Sequence, residues 1–322
     1  MMICELAPAK INLTLEILNK RVDGYHDIKS VMQTIDLCDI LTFWDNDWIQ
    51  VIPEYCSLPA EDTLPWNENS NYLKNNLVFK AASILKEETG CRKGALIQLK
   101  KCIPSSAGLG GGSSDAAATL KGLNKLWNLK LSTEELAEIG SKIGSDISFF
   151  IYGGTCLSRG RGEIIEKIQS ISKKWLAVIL LPIRIKDKTK KLYSHVDFKN
   201  YSDGKFTKAL IENICSNGHD NPQNLISTIN KNNINIKNNT NGFDIDNLLF
   251  NVFETIYGDY FEEYKNWTEK LNKNINKPFH LSGSGPSIFY ISDNELEIIE
   301  IAKKIEEIEV LKLTKYIAQT VP

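Results

Sequence analysis

The chain begins with a pattern that is typical of β-strands. Apolar side chains recur at alternate positions between Ile3 and Leu18, and the segment from Ile35 to Phe43 repeats this spacing. Asn76 to Thr89 instead places its apolar residues on one helical face, and Gly90 can end that helix as a C-cap residue. The first part of the chain is therefore predicted to combine strands with one helix.

The middle of the chain predicts a strand, a glycine-rich loop and two helices. Ala95 to Ile103 has a strand pattern that stops at Pro104, and the loop PSSAGLGGGSSD then leads into AAATLKGLNKLW, whose alanine and leucine content favours a helix. A second helix is predicted from Ser132 to Ile143, because Ser132 and Glu135 have the spacing of a capping box. We predict that the next segment, GSDISFFIYGGT, is extended.

The second half of the chain alternates between helical and extended patterns. Helical spacing occurs in 206–215, 248–271 and 295–308. Strand-like patterns occur in 175–183, 278–291 and 311–318. An asparagine-rich tract near 230–241 is predicted to be a surface insertion, since polar residues cannot offset their ordering entropy by burial. The whole pattern predicts an α+β fold, with an N-terminal domain over 1–175 and a C-terminal domain over 176–322.

Composition and charge exclude several classes of protein. The 322 residues include 38 Lys and Arg against 40 Asp and Glu, a formal net charge of −2, so no excess of positive charge favours nucleic acid or an anionic membrane. No apolar run approaches the roughly 20 residues that span a bilayer, and the first residues do not resemble a signal or transit peptide. We therefore expect a cytoplasmic protein without a nucleic-acid or membrane partner.

Cysteine and histidine usage gives no sign of a disulfide framework or a zinc site. The seven cysteines include no C-x-x-C pair, which favours reduced thiols. The four histidines show no H-x-x-x-H spacing and no zinc-ligand spacing with cysteine.

Two segments rich in small residues are candidate ligand loops. Glycines at 108, 110, 111 and 112 stand where a loop enters a helix, and the free N–H groups at a helix start can bind phosphate when no side chain blocks them. The spacing matches neither a Walker loop nor the G-x-G-x-x-G of a dinucleotide fold. For this loop the alternative is a structural connector. For SGSGPS at 282–287 the alternative is a tight hairpin.

Four further residues carry candidate chemistry. Lys10 interrupts the apolar pattern of the first strand, and Asp146 precedes a strongly apolar run. A lysine beside a carboxylate lowers the carboxyl pKa and stabilises charge on a phosphoryl group in transfer, provided that the fold brings the two together. Tyr25 and His26 follow an Asp-Gly turn and offer a stacking ring next to an imidazole. For each of these residues, an ordinary surface position is the alternative.

These motifs resemble a known enzyme superfamily. PSSAGLGGGSSDAAA is similar to the phosphate-binding signature of the GHMP kinases, and APAKINLTLEI, KRVDGYHDIKSVMQTIDLCD, GSDISFFIYGGTCLSRGRGE and LSGSGPSIF occur in that family's order. The glycine loop alone indicates the superfamily, whereas DGYH and APAKINL resemble the branch whose acceptor carries a cytidine diphosphate. The resemblance implies the GHMP kinase fold, with a ribosomal-protein-S5-like N-terminal domain and a ferredoxin-like C-terminal domain.

The resemblance also implies an activity and its residues. The reaction would be ATP-dependent phosphorylation of the 2-hydroxyl of 4-diphosphocytidyl-2-C-methyl-D-erythritol, in the non-mevalonate pathway to isoprenoid precursors. Asp146 matches the catalytic base, which also touches the acceptor, and Lys10 matches the lysine that orients it. The matching acceptor-binding positions are Asn12, Tyr25, His26 and Thr189. The matching ATP-binding positions are Asn76, Pro104, Gly108, Leu109, Gly110, Gly111, Gly112, Ser113 and Ser114. ATP implies Mg²⁺, whose ligands no carboxylate cluster in the sequence identifies.

Two other functions stay open from the sequence. A different GHMP kinase would act on another small alcohol, and Tyr25 and His26 would then have no nucleobase to bind. A catalytically silent binding homologue would have no need of both Lys10 and Asp146. The sequence does not decide between a monomer and a homodimer.

Overall fold

The computed structural model of the protein describes residues 1–56, 76–216, 245–307 and 313–322. Contacts divide the chain into two compact units, which we call unit 1 (Met1–Lys10 and Thr34–Gly153) and unit 2 (Ile11–Gln33 and Gly154–Pro322). The division into domains at residue 175 stays a prediction. The asparagine-rich tract at 230–241 lies outside the described residues.

The strands predicted in the first hundred residues are present, and Ile49–Tyr55 is an additional strand that the sequence pattern did not predict. They are β1 (Met2–Asn12), β2 (Thr14–Lys20), β3 (His26–Asn46), β4 (Ile49–Tyr55) and β5 (Gly94–Lys101). Within unit 1, residues 40–46 of β3 pair antiparallel with β5, and β4 pairs parallel with β5. Alternate side chains such as Leu41 and Phe43 are fully buried, as the period of two predicts for a sheet with one covered face.

The described residues of unit 1 also form four helices: α1 (Leu77–Thr89), α2 (Gly111–Trp127), α3 (Thr133–Ser141) and α4 (Ser145–Tyr152). The predicted ends of α1 are confirmed, since Asn76 caps its start and Gly90 follows with a φ of 67°. The capping box at the start of α3 is also confirmed: Glu135 N–H donates to Ser132 Oγ, and Ser132 N–H donates to the Glu135 carboxylate. Such a cap stabilises a helix by about 1 kcal/mol.

The expectation of an extended segment at GSDISFFIYGGT was wrong, because most of it forms α4. A short continuous apolar run does not distinguish a buried strand from a buried helix by periodicity. Here Ile147, Phe149 and Phe150 are all buried on a helix that starts after the extended Gly144. Asp146 therefore lies in the first turn of a helix rather than at the end of a strand.

Helix α2 is fixed closely against the sheet of unit 1. A Cβ at Gly122, in the middle of α2, would lie 2.4 Å from the ring of Phe43. Only glycine permits this approach, which buries the phenylalanine completely, and such burial is worth about 1.5–3 kcal/mol. The start of α2, where the glycine-rich loop ends, is thereby anchored to a rigid element.

Unit 2 contains two groups of paired strands. β6 (Thr155–Gly160) pairs with residues 28–33 of β3 and with β7 (Ile164–Lys167). A separate antiparallel sheet has the order β10-β11-β8-β12, built from β8 (Trp175–Leu180), β10 (His280–Leu281), β11 (Ser287–Ser292) and β12 (Thr314–Gln319). Short β9 (Phe250–Asn251) pairs parallel with β2. The predicted strand–turn–strand around SGSG is confirmed.

The helices of unit 2 are α5 (Lys188–Ser194), α6 (Lys205–Cys215), α7 (Val252–Tyr260), α8 (Glu262–Ile275) and α9 (Glu295–Glu307). The segment predicted as one helix over 248–271 is two helices, because Phe261 has a non-helical backbone (φ −130°, ψ 87°) that ends α7 and begins α8. Apolar faces of α7, α8 and α9 and one face of the sheet form the core of this unit. The mixture of helices and strands confirms the α+β class.

The expectation about the cysteines is corrected by the structure. Cys56 and Cys102 form a disulfide, so the expectation of seven reduced thiols was wrong, and the other five cysteines are free. The two are 46 positions apart, and only the return of β5 beside β4 brings them together. Among the described residues, no helix is both long enough and apolar enough to cross a membrane.

Candidate active site

The glycine-rich loop forms the start of α2. Gly110 is the N-cap residue with a φ of 75°, a conformation that favours glycine, and none of the described side chains caps the helix. A Cβ at Gly110 would lie 2.6 Å from the Phe150 ring and 3.1 Å from Cγ of Lys10. The loop backbone therefore packs directly on these side chains, and among the described residues no side chain is bonded to the N–H groups at the helix start.

Lys10 and Asp146 both lie beside this loop in unit 1. Lys10 is only 5% exposed, and its N–H donates to Leu109 O at 2.9 Å. Burial lowers the pKa of Lys10, while attraction by the Asp146 carboxylate opposes the shift. Asp146 is half-buried in the first turn of α4. The structure thus brings together the lysine, the carboxylate and the glycine loop that the sequence had singled out separately.

The other predicted ATP-binding residues surround the same helix start. Asn76 accepts a hydrogen bond from Val78 N–H at 2.8 Å as the N-cap of α1, and a Cβ at Gly112 would lie 3.4 Å from Leu77 at the start of that helix. Pro104 is buried, and Ser113 is half-buried. Ser114 is 1% exposed, and its Oγ has no hydrogen-bond partner among the described residues.

Tyr25 lies on an exposed turn of unit 2. Its side chain is 59% exposed, and its N–H donates to the Asp23 carboxylate at 3.1 Å. The Arg161 guanidinium lies 5.1 Å from the centroid of the Tyr25 ring, within the range of a cation–π contact. The backbone of Tyr25 is thus fixed by the turn, and most of its side chain stays open to solvent.

His26 is buried next to Tyr25 in the sequence. Its ring stacks on Tyr193 with centroids 5.2 Å apart and an interplanar angle of 23°. Burial lowers the pKa of His26, and the charge of Lys20 lowers it further. The imidazole is therefore neutral at pH 7 and can both donate and accept one hydrogen bond.

Thr189 lies beside the SGSG segment, also in unit 2. Thr189 Oγ1 is 3.0 Å from Ser284 Oγ, and Lys188 donates to the carbonyl of Gly285. Asn251 holds the same segment through two donations from its amide to backbone carbonyls, at 2.8 and 2.9 Å. This segment is thus a rigid, cross-linked turn. That it shares a cleft with the glycine loop stays a prediction.

Asn12 is 5% exposed in unit 2, and its amide donates to Ser30 Oγ at 2.8 Å. Its contact with an acceptor stays a prediction.

Sequence reasoning missed Tyr193 and Ser284. Tyr193 follows Thr189 by four positions, which places both on one face of α5, so a helical reading of this segment would have found it. Ser284 belongs to the SGSG motif, but its pairing with Thr189 spans 95 positions, and no local signal predicts that.

The described residues do not define a magnesium site. They contain no group of three or more His, Cys, Asp or Glu side chains that could hold a metal ion. The described carboxylates thus do not identify the ligands of the implied Mg²⁺.

Comparison with known proteins agrees with this geometry. Residues 76–154, which include the glycine loop and α4, match the family model "GHMP kinases N terminal domain". The chain is 36% identical over 292 residues to the 4-diphosphocytidyl-2-C-methyl-D-erythritol kinase of Geobacillus kaustophilus, a match that covers 90% of this chain and 88% of that enzyme. A kinase of the same name from Geobacillus thermodenitrificans is 50% identical over 182 residues, which cover 56% of this chain and 59% of that one.

Solved structures show the same fold. A crystal structure of 4-(cytidine 5'-diphospho)-2C-methyl-D-erythritol kinase superposes with a TM-score of 0.73 at 23% identity and covers 99% of both chains. Homoserine kinase from Cytophaga hutchinsonii superposes with a TM-score of 0.68 at 16% identity, covering 99% of this chain and 94% of that one. The GHMP kinase fold that the sequence predicted is confirmed. With identity above 30% over most of both chains, the protein belongs to the 4-diphosphocytidyl-2-C-methyl-D-erythritol kinase family of GHMP kinases.

Proposed function

We propose that this protein transfers the γ-phosphoryl group of ATP to the 2-hydroxyl of 4-diphosphocytidyl-2-C-methyl-D-erythritol, a step in the non-mevalonate route to isoprenoid precursors. The observation that carries the proposal is the burial of Lys10 beside Asp146, with the backbone of Lys10 bonded to the glycine loop. Phosphoryl transfer needs positioning and charge neutralisation more than covalent chemistry. This arrangement supplies both, and the names of the relatives supply the acceptor.

The glycine loop is proposed to hold the ATP phosphates. The first N–H groups of α2 lack side-chain caps and lie at the positive end of the helix dipole, which favours a phosphate oxygen. The buried Ser114 hydroxyl, which has no partner among the described residues, would donate to such an oxygen. Asn76, Pro104 and Ser113 lie around the same helix start and are the proposed nucleotide contacts.

Asp146 is the proposed general base. It accepts the proton of the 2-hydroxyl as that oxygen forms a bond to the γ-phosphorus, and the bond from the γ-phosphorus to the bridging oxygen breaks to release ADP. Lys10 lies within electrostatic reach of the Asp146 carboxylate and places positive charge next to the phosphoryl oxygens. Its burial raises the strength of both effects because few water molecules screen the charges.

Tyr25 and His26 are proposed to bind the cytosine ring. The exposed Tyr25 ring offers a stacking face, and the neutral imidazole of His26 matches the mixed donors and acceptors of a base edge. Asn12 and Thr189 are the proposed contacts to the rest of the acceptor. Mg²⁺ as the companion of ATP and a cytoplasmic location stay predictions.

A coupled assay of ADP release against a panel of alcohols tests this function. The panel contains the cytidine diphosphate conjugate of methylerythritol, its uridine analogue, homoserine and mevalonate, with Asp146→Asn as the inactive control. We expect turnover with the cytidine conjugate alone. A preference for homoserine, mevalonate or another alcohol would support the alternative of a different GHMP kinase. Release of ADP with none of the alcohols would favour the silent homologue.

A further inference from the structure

Beneath the glycine loop lies a buried group of charges that the proposed mechanism does not use. We call it the loop-support cluster, and it consists of Asp39, Lys101 and Asp115. Lys101 Nζ donates to the side-chain oxygens of both aspartates, to Asp115 at 2.7 Å and to Asp39. The exposed fraction of the side chain is 0% for Asp39, 5% for Asp115 and 12% for Lys101. Burying three ionisable groups is costly unless they pair completely.

The cluster ties together the segments that carry the loop. Asp39 comes from β3, Lys101 ends β5 and Asp115 is in the first turns of α2. Asp39 also accepts the N–H groups of Cys102 and Ile103, at 2.5 and 2.8 Å, directly before the loop begins. Both ends of the loop are thus bonded to one charge cluster.

The cluster also reaches the loop backbone itself. A Cβ at Gly111 would lie 3.4 Å from Lys101 Nζ and 3.0 Å from a methyl group of Ile103. The ammonium of Lys101 therefore lies directly under the first turn of α2. A shift of this side chain would move the backbone N–H groups that face a phosphate.

The charge state of the cluster is defined by its geometry. Burial lowers the pKa of Lys101, but attraction and hydrogen bonds from Asp115 and Asp39 outweigh it and raise the pKa, so the ammonium is charged. Burial and the neighbouring Asp39 raise the pKa of Asp115 despite the attraction of Lys101. One ammonium, one carboxylate and one carboxylic acid give a neutral group near pH 7. In the described part of the chain, Lys101 and Asp39 are the charged groups that act on Asp115.

We propose that Asp39, Lys101 and Asp115 are positioning residues for the nucleotide, and that this neutral cluster fixes the glycine loop in the geometry that binds the ATP phosphates. The inference rests on the proposed role of the loop. It predicts that damage to the cluster weakens ATP binding and leaves the acceptor site unchanged. It also predicts a pH dependence, since loss of the Asp115 proton adds a negative charge beneath the triphosphate.

The first test replaces the central lysine. Lys101→Met should raise Kd for a non-hydrolysable ATP analogue at least tenfold by titration calorimetry, and KM for ATP similarly, while KM for the acceptor stays within about twofold. Lys125→Met is the matched control. Lys125 lies on α2, the helix that carries Asp115, but its side chain is 60% exposed and pairs with Glu5 at 2.6 Å on the surface, where ion pairs contribute little. Equal binding by folded Lys101→Met and by wild type would overturn the proposal.

The second test does not require Lys101→Met to fold. Asp115→Asn keeps the shape of the side chain and leaves Lys101 paired with Asp39, so the side chain at 115 adds no charge to the cluster over the tested pH range. From pH 7.5 to 9.5, Kd for the analogue should rise about three- to tenfold more in wild type than in Asp115→Asn, the effect of one added charge near the phosphates. Loss of the Lys10 proton contributes equally to both proteins and cancels. Identical pH profiles would overturn the proposal.

The binding assays need no acceptor, so the two proposals fail in different ways. If wild type binds no ATP analogue, the kinase function itself fails. If wild type binds it and Lys101→Met and Asp115→Asn behave like wild type, only the role of the loop-support cluster fails.

Discussion

Replacing Gly110 by alanine should disturb the loop and Lys10 together. Gly110 has a φ of 75°, in the left-handed region that residues with a Cβ rarely adopt. The added Cβ would lie 2.6 and 2.8 Å from two atoms of the Phe150 ring and 3.1 Å from Cγ of Lys10. Contacts this short require Phe150 and Lys10 to move.

Two effects determine how much Gly110→Ala lowers the free energy of unfolding. The left-handed backbone costs an alanine roughly 1–2 kcal/mol, and an extra methyl group in a filled region costs roughly 1–3 kcal/mol. Gly110→Ala should therefore lower the free energy of unfolding by about 2–5 kcal/mol. Displacement of Lys10 should also lower kcat at least tenfold, since small errors in position weaken catalysis strongly.

Gly112→Ala is the matched control for stability. Gly112 lies two positions later and has no positive φ, and a Cβ there would meet only Leu77 at 3.4 Å, an ordinary contact. Its free energy of unfolding should stay within about 1 kcal/mol of wild type, the usual range for glycine and alanine in a helix. Urea denaturation followed by circular dichroism measures both variants.

If Gly110→Ala unfolds at the same urea concentration as Gly112→Ala, the predicted loss of stability at Gly110 is wrong. The loop would then be able to relax without moving Phe150. A stable Gly110→Ala with unchanged kcat would further show that the loop and Lys10 are not coupled.

Three other outcomes are expected. Asp146→Asn should lower kcat by about 10²–10⁴, the usual contribution of a positioned base, while calorimetry shows unchanged ATP affinity; activity within threefold of wild type would contradict the assignment. Tyr25→Ala and His26→Ala should raise KM for the cytidine acceptor but not for ATP, and unchanged KM in both variants would place the cytosine-binding site elsewhere. In wild type, KM for the acceptor should stay constant from pH 8 to 7 and rise only below about 6.5. The reason is that the pKa of His26 is lowered, so the imidazole gains its proton only at more acidic pH. The folded pKa of Asp115 lies above its unfolded value of 3.8, so its contribution to stability is full at acidic pH and is lost as pH rises through the folded pKa. From pH 5 to pH 9, the unfolding free energy of Asp115→Asn should therefore rise relative to that of wild type by more than about 1 kcal/mol. A constant difference between the two proteins would show that the pKa of Asp115 is not raised.

Local patterns predicted much of the fold. The capping box at Ser132, the C-cap at Gly90 and the alternation in β1 depend on neighbours a few positions apart, so the sequence contains all the information they need. α4 was missed because its core is apolar on nearly every side. A helix without a polar face has the same pattern as a buried strand.

The candidate site was predictable where its residues form short motifs. The glycine loop, Lys10 and Asp146 were each identified from the sequence, but only the folded chain shows that burial and Asp146 act on the same lysine. The disulfide between Cys56 and Cys102 could not be predicted, since neither cysteine belongs to a recognisable pair.

The loop-support cluster shows why a motif is not a complete description of a site. Glycines let a backbone approach a phosphate, but they contribute no side chains that could hold it there, and they lose more entropy on ordering than other residues. The rigidity of such a loop must come from side chains outside it, here Asp39, Lys101 and Asp115 from three separate elements. In the sequence each looks like an ordinary polar residue of a separate segment. Their function as one group exists only because the sheet and α2 bring them together, and the loop can bind a nucleotide tightly only while that group is intact.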